Sequence, residues 1–245
     1  MKTIGIIPAR YASTRFPGKP LIDIAGKSMI QRVYEQAKKA QRLTDVVVAT
    51  DDARIEANVK AFGGNVVMTS EAHQSGTDRC FEAIQKYGSV VDVVINIQGD
   101  EPFIQPEQID LLASCFDTKE VSIATLVKKI SSYDELFNVN TPKVLLDKNQ
   151  NAIYFSRQTI PHLRGKETTQ WLDYQVFYKH IGIYGYTSQA LAEITQLKTS
   201  DLELAEGLEQ LRWIENGYKI RTKLTDIENV AIDAPEDLKK LANFL

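Results

Sequence analysis

Thr3–Ala9 (TIGIIPA), running straight into Arg10-Tyr11-Ala12-Ser13-Thr14-Arg15-Phe16-Pro17-Gly18-Lys19-Pro20, is the stretch on which the reading of this chain turns. The first seven residues are short, β-branched and nearly continuous in apolar character, as a strand covered on both faces of a parallel sheet should be. Asp45–Thr50 (DVVVAT), Asn65–Met68 and Val90–Ile97 (VVDVVINI) repeat that texture downstream. Amphipathic stripes separate them: Met29, Ile30, Val33, Tyr34 and Ala37; then Ile55, Val59 and Phe62, closed by Gly63-Gly64. Cys80, Phe81, Ile84 and Tyr87 form a third stripe, and Pro106 opens a fourth with Ile109, Leu112 and Phe116. Strand–helix–strand order predicts an α/β fold: a mostly parallel central sheet with helices on both faces.

From Val121 the texture changes. Val144–Leu146 and Ala152–Phe155 flank the polar turn cluster Asp147–Asn151, which predicts a hairpin. His180–Tyr186, Lys219–Leu224 and Val230–Ile232 read as further strands. Ser200 and Glu203 make a capping box for a helix carrying Leu204, Leu208, Leu211 and Ile214. The expectation is one domain, 1–245, with an antiparallel insertion over about 121–190 and a return to the main sheet after it.

Composition narrows the function. Of 245 residues, 29 are Lys or Arg and 32 are Asp or Glu, a formal charge of −3, which argues against nucleic-acid binding as the main task. Cys80 and Cys115 do not make a disulfide framework, and with three histidines a closed Cys/His zinc site is disfavoured. No apolar run approaches the roughly 20 residues of a membrane helix, and no signal-peptide pattern precedes the first strand. The expectation is a soluble, cytoplasmic protein without membrane or nucleic-acid partners.

The loop after the first strand carries the strongest local signal. From Met1 to Ile22 the charged residues are Lys2, Arg10, Arg15 and Lys19, with no acid among them. Ligands of open α/β sheets bind beyond the carboxyl ends of strands, so an anion belongs here. Long cations and the small residues Ala12, Ser13 and Gly18 suit phosphate oxygens; a solvated surface loop is the alternative. It is not a Walker A loop: Pro20 follows Gly18-Lys19, and Leu21 stands where Gly26-Lys27-Ser28 would need a preceding glycine. No G-x-G-x-x-G follows the first strand either.

Ile7–Leu21 resembles the opening of the 3-deoxy-D-manno-octulosonate (KDO) cytidylyltransferases, or CMP-KDO synthetases. Further matches follow in order: Ala49–Asp51, Ser75–Arg79, Gln98–Pro102, Tyr154–Arg157, His180–Tyr186, Leu208–Arg212 and Asp233–Leu238. The resemblance thus covers nearly the whole chain. It implies a nucleotidyltransferase (GT-A-like) fold, a homodimer formed through the antiparallel insertion, and transfer of CMP from CTP to KDO with release of pyrophosphate. Another sugar acid, 8-amino-KDO or a sialic acid, is the neighbouring alternative; a non-catalytic nucleotide-binding regulator is the distant one.

The resemblance also implies roles residue by residue. Pro8, Ala9, Arg10, Ser13, Arg15, Lys19, Ser75, Gly76, Arg79 and Gln98 would bind the nucleotide, with Arg10, Lys19, Asp100 and Asp233 catalytic. Asp100 and Asp233 would hold Mg²⁺, a hard ion that takes one or two carboxylates together with substrate oxygens; a second Mg²⁺ on the β- and γ-phosphates is compatible. Asp100 also reads as a simple turn residue. Asp233 reads as a cap for the last helix, and Ala234 stands where the family usually has Thr. Arg79 has a surface-helix alternative. Arg157, His180, Tyr184, Tyr186, Glu209 and Gln210 match the sugar side, although a histidine and two tyrosines on one strand face are equally natural core residues.

Overall fold

In the computed structural model, which describes residues 1–12, 16–228, 231–232 and 234–238, the first strand is the hub of the sheet. This strand, β1 (Thr3–Ala9), is followed by a two-stranded ribbon of β2 (Asp23–Ile24) and β3 (Lys27–Ser28). It pairs in parallel with β4 (Asp45–Thr50) on one side and β6 (Val93–Asn96) on the other, while β5 (Val66–Met68) adds in parallel to β4. Residues alternate between two cores, as two-residue periodicity requires. Ile7, Ala9, Val46, Val48, Val93 and Ile95 meet α1 (Met29–Ala37), α2 (Ala53–Ala61) and α4 (Pro106–Ala113) on one face. Ile4, Ile6, Val47, Ala49 and Val94 meet α3 (Gly76–Lys86) on the other.

Each of the first three helices starts where a short polar side chain accepts a backbone N–H: Ser28 from Gln31, Asp52 from Arg54 and Ser75 from Asp78. These caps end the strands' extended backbone and aim helix N-termini at the sheet's carboxyl edge. The central strand is shorter than its apolar run, because Val90 is 83% exposed and pairing begins at Val93.

The stretch 121–190 is antiparallel, as the hairpin signals predict, but it is not set apart from the sheet. Strand β7 (Ile123–Lys129) and β10 (Tyr178–Thr187) lie inside it, in the order β11-β7-β10-β6-β1-β4-β5. The outer strand β11 (Ile220–Leu224) runs parallel to β7. The hairpin of β8 (Lys143–Leu146) and β9 (Ala152–Ser156) joins through β8 to the start of β10. Short α5 (Tyr133–Phe137) and α6 (Trp171–Tyr174) cover a satellite core around Trp171 and Phe177.

The helix expected after Ser200 is two helices. The capping box forms, but α8 (Asp201–Glu206) stops at Gly207, whose φ of 60° is left-handed, and α9 (Gln210–Glu215) starts afresh. Leu204 is therefore outside the core, whereas Leu208, Leu211 and Trp213 join α3 and α7 (Ser188–Ile194) in it. Ile232 is buried beside Ile24 and Met29 but lies in no strand; Val230 is outside the described residues. No helix among the described residues is long and apolar enough to cross a membrane.

Candidate active site

Because β1, β4 and β6 are parallel, their carboxyl ends share one edge, and a cavity of about 240 Å³ opens there. β1 supplies Pro8, Ala9 and Arg10; the loop after it supplies Lys19; the α3 N-terminus supplies Ser75, Gly76 and Arg79; the end of β6 supplies Gln98, Gly99 and Asp100. The fold thus brings together eight of the ten residues expected to bind the nucleotide. Ser13 and Arg15 lie outside the described residues, as does Asp233.

Lys19 Nζ donates to Asp100 Oδ2 at 2.7 Å, so the cation of the acid-free loop sits directly on the carboxylate after β6. The loop is closed by the Gly18 N–H on the Tyr11 carbonyl at 2.9 Å, which holds Lys19 at the cavity mouth. On its other side Asp100 offers its backbone carbonyl to the Ile232 N–H, also at 2.9 Å. The chain neighbour of Asp233 therefore lies against Asp100, more than 130 residues away in sequence. Ala234 N–H is taken by the Asp237 side chain, so that turn has a cap of its own.

Gly99 turns out to be required by the protein's own backbone. The sequence suggests room for a ligand there, but a Cβ at this position would lie 2.8 Å from the Pro8 carbonyl oxygen. Gly99→Ala should force Pro8 away, an overpacking cost of about 1–3 kcal/mol. Thermal unfolding should show that loss, and the KM for CTP should rise with it. A wild-type melting point would contradict the close approach.

Arg79 is not a surface residue: it is 3% exposed, donating to Thr69 Oγ1 at 2.6 Å and to Asp51 Oδ2 at 2.7 Å. Its guanidinium is thereby fixed at the cavity floor. Gln98 Nε2 donates to the Gly182 carbonyl at 2.9 Å, across the joint between β6 and β10. His73, which the sequence reading passed over, also lines the cavity and is bound through Nε2 to Glu82. Burial opposes ionisation of Glu82, but Lys86, the Ser70 N–H and His73 outweigh it and hold the carboxyl at about 2. Asp51 and Asn96 were passed over too. Asp51 was legible as a motif match after β4, but its partner Arg79 is a contact between distant elements.

None of the six sugar-side residues lines this cavity. Tyr184 on β10 stands opposite cavity-lining Asn96 on β6, and Glu209 accepts from Thr77, next to the cavity-lining pair Ser75-Gly76. Tyr184 and Tyr186 stack at 6.0 Å, and both set their faces edge-on to Trp213, so a shared burial does account for the pair. Burial raises both phenols well above their usual range. The Tyr184 and Tyr186 hydroxyls, Gln210 Nε2 and Asn96 Oδ1 are buried with no hydrogen-bond partner among the described residues. Buried polar atoms are normally satisfied, so these orphans around cavity-lining Asn96 fit a hydroxyl-rich ligand. Arg157 is committed to the backbone, donating through Nε to the Glu206 carbonyl at 2.6 Å and more loosely to Val139 and Gly207. Burial lifts the Glu209 carboxyl above its ordinary range against the pull of the Thr77 and Ser75 hydroxyls.

Thr125 occupies the bulge in β10, donating to the Ile183 carbonyl at 2.7 Å. Its oxygen is then free to accept from His180 Nε2 at 3.0 Å, which assigns the neutral ring's proton to Nε2. Burial pushes His180 down to about 3. The unfolded imidazole takes up a proton near pH 6.5 that the native ring refuses, so stability falls as pH drops from 6.5 towards 3. Between pH 7 and pH 5 this one group should cost about 2 kcal/mol. Urea unfolding of His180→Gln at both pH values should show an acid loss smaller by that amount; an unchanged loss would contradict the burial argument.

A family model described as Cytidylyltransferase matches residues 4–220. The 3-deoxy-manno-octulosonate cytidylyltransferase of Parabacteroides distasonis is 63% identical, the match covering 100% of this chain and 98% of that protein. A solved structure of CMP:2-keto-3-deoxy-manno-octonic acid synthetase complexed with CTP superposes with a TM-score of 0.92 at 41% identity, covering 100% and 98% of the two chains. The 4-diphosphocytidyl-2C-methyl-D-erythritol synthase of Anaerococcus prevotii, at 13% identity and a TM-score of 0.61 over 99% and 98% of the chains, shares the fold alone. With its parallel-edge cavity, its cationic opening loop and this identity along its entire length, the chain belongs to the 3-deoxy-manno-octulosonate cytidylyltransferase family.

Proposed function

We propose that this protein transfers CMP from CTP to 3-deoxy-D-manno-octulosonate, releasing pyrophosphate and giving the activated sugar for lipopolysaccharide synthesis. The observation that carries the reading is the contact of Lys19 with Asp100 at 2.7 Å, in a cavity walled by Arg10, Ser75, Gly76 and Arg79. Cytidine lies between the Pro8–Arg10 backbone and the α3 N-terminus, held by Ser75, Gly76, Arg79 and Gln98. Arg10, Arg15 and Lys19, with Ser13, grip the triphosphate and take up the charge that develops on pyrophosphate. The anomeric 2-hydroxyl of the sugar attacks the α-phosphorus in line: the new O–P bond forms as the bond to the β-phosphate oxygen breaks. The hydroxyl proton passes to water.

Asp100 and Asp233 are the residues that would hold Mg²⁺. Their chemistry suits the ion: Asp100 is a partly exposed carboxylate at the cavity wall, and Ile232, beside Asp233, is bonded to its backbone. When bound, Mg²⁺ supplies Lewis-acid polarisation of the α-phosphate and lowers the pKa of a nearby hydroxyl. Arg157, His180, Tyr184, Tyr186, Glu209 and Gln210 form the acceptor side, the first chiefly by fixing the backbone at Gly207. Exposed Phe137, Val139, Tyr174 and Val176, all within 121–190, support a homodimer through that stretch; the proposed place of work is the cytoplasm.

The test is pyrophosphate release by the purified chain with CTP and Mg²⁺, offered KDO, 8-amino-KDO and a sialic acid in turn. KDO should give the highest kcat/KM. Faster release with another acid would reassign the acceptor, and CTP binding without release from any acid would overturn the reading.

A further inference from the structure

Thr77 is 3% exposed and follows the cavity-lining pair Ser75-Gly76 in the first turn of α3, yet it does not itself line the cavity. Its Oγ1 donates to Glu209 Oε2 at 2.9 Å, across 132 residues of sequence. Glu209 stands at the start of α9, next to Gln210, whose buried Nε2 has no partner among the described residues. The Tyr186 hydroxyl lies close to Thr77 and Asn96 without hydrogen-bond geometry to either. One turn of helix therefore forms the nucleotide wall with Ser75-Gly76 and reaches the neighbouring polar cluster through Thr77, with the Ser75 hydroxyl also facing Glu209.

We infer that Thr77 is a positioning residue that couples the two substrates: its hydrogen bond to Glu209 ties the nucleotide wall to the acceptor side, so each substrate tightens the binding of the other. The inference rests on the function proposed above. The physical reason is linkage. A nucleotide that orders Ser75-Gly76 orders Thr77 with it, and the hydroxyl then holds Glu209 in the geometry the acceptor needs. A coupling of this kind typically changes affinity by 5–150-fold, and by reciprocity it acts equally in both directions.

Thr77→Val keeps the shape and removes the donor; Thr77→Ser restores it. The affinity of the full chain for KDO is measured by calorimetry, with and without a CTP analogue bridged by methylene between its α- and β-phosphates. Wild type and Thr77→Ser should bind KDO about tenfold more tightly with the analogue present. Thr77→Val should lose most of that enhancement, and KDO should lose by the same factor its tightening of analogue binding. Should the valine variant unfold, Thr77→Ala carries the same expectation. An enhancement retained without the hydroxyl, one absent from wild type, or a loss seen for one ligand and not the other would overturn the inference. Failure of the proposed function reads differently: wild type would release no pyrophosphate with KDO.

Discussion

Asp100→Asn should lower kcat by about 10³-fold while leaving the melting point close to that of wild type. The size follows from the charge. A carboxylate that helps hold Mg²⁺ against the reacting phosphate supports several kcal/mol of transition-state stabilisation, and each 1.36 kcal/mol is a decade in rate. The small effect on folding follows from exposure. The Asp100 side chain is 25% exposed, its ion pair with Lys19 is a single part-buried contact, and such pairs contribute about 1 kcal/mol or less. Asparagine keeps an oxygen for Lys19, and the Asp100 carbonyl that receives the Ile232 N–H belongs to the backbone. Steady-state turnover and thermal unfolding on the same sample check both halves. A variant turning over within a few-fold of wild type would remove Asp100 from the chemistry.

The second large effect belongs to Lys19. Lys19→Ala should reduce kcat/KM for CTP by about 10²–10³-fold, the usual loss when one donor to a developing negative charge is removed. The KM for KDO should move far less, since Lys19 lies on the β1 side of the cavity and the acceptor cluster on the β10 side. Lys19→Arg should recover part of the loss, because it restores the charge with different geometry. Equal losses toward CTP and KDO would mean that the loop supports the whole site and does not grip the phosphates. The same charge argument makes the loss steepest at low ionic strength, where screening is weakest.

Much of this was legible because the decisive signals are local. β1 and β4 begin and end where the apolar runs do, and the cationic loop, the Ser75 cap and the Gln98–Asp100 turn lie next to the strands that position them. Periodicity reports which face a residue presents; it does not report which strand becomes its neighbour. Thus the stretch 121–190 reads as an antiparallel insertion, although its β7 and β10 fill the sheet between β6 and β11. In β10 the register also shifts between Ile181 and Tyr184, a bulge that Thr125 stabilises from another strand. Gly207 divides α8 from α9 because a left-handed residue outweighs a leucine stripe that continues beyond it.

The site divides in the same way. The described nucleotide-side residues next to strand ends line the cavity, whereas side-chain partners from distant elements were not foreseen. Arg79 needed Asp51 from the end of β4, Gly99 needed the Pro8 carbonyl, and Thr77 needed Glu209. Arg157 illustrates the opposite limit. The motif match puts it on the sugar side, and its guanidinium donates to the backbone carbonyls of Glu206 and Gly207 at the α8 terminus and of Val139. Such commitments depend on where the chain returns, which no local pattern encodes.

The most direct test of the account is a crystal of the protein grown with CTP and Mn²⁺ in place of Mg²⁺, with the ion located by anomalous scattering. An ion bonded to carboxylate oxygens of both Asp100 and Asp233 and to the α-phosphate, with cytosine between Pro8 and Arg79, is the result the account predicts. An ion that touches neither acid, or a nucleotide seated away from Lys19, would contradict it.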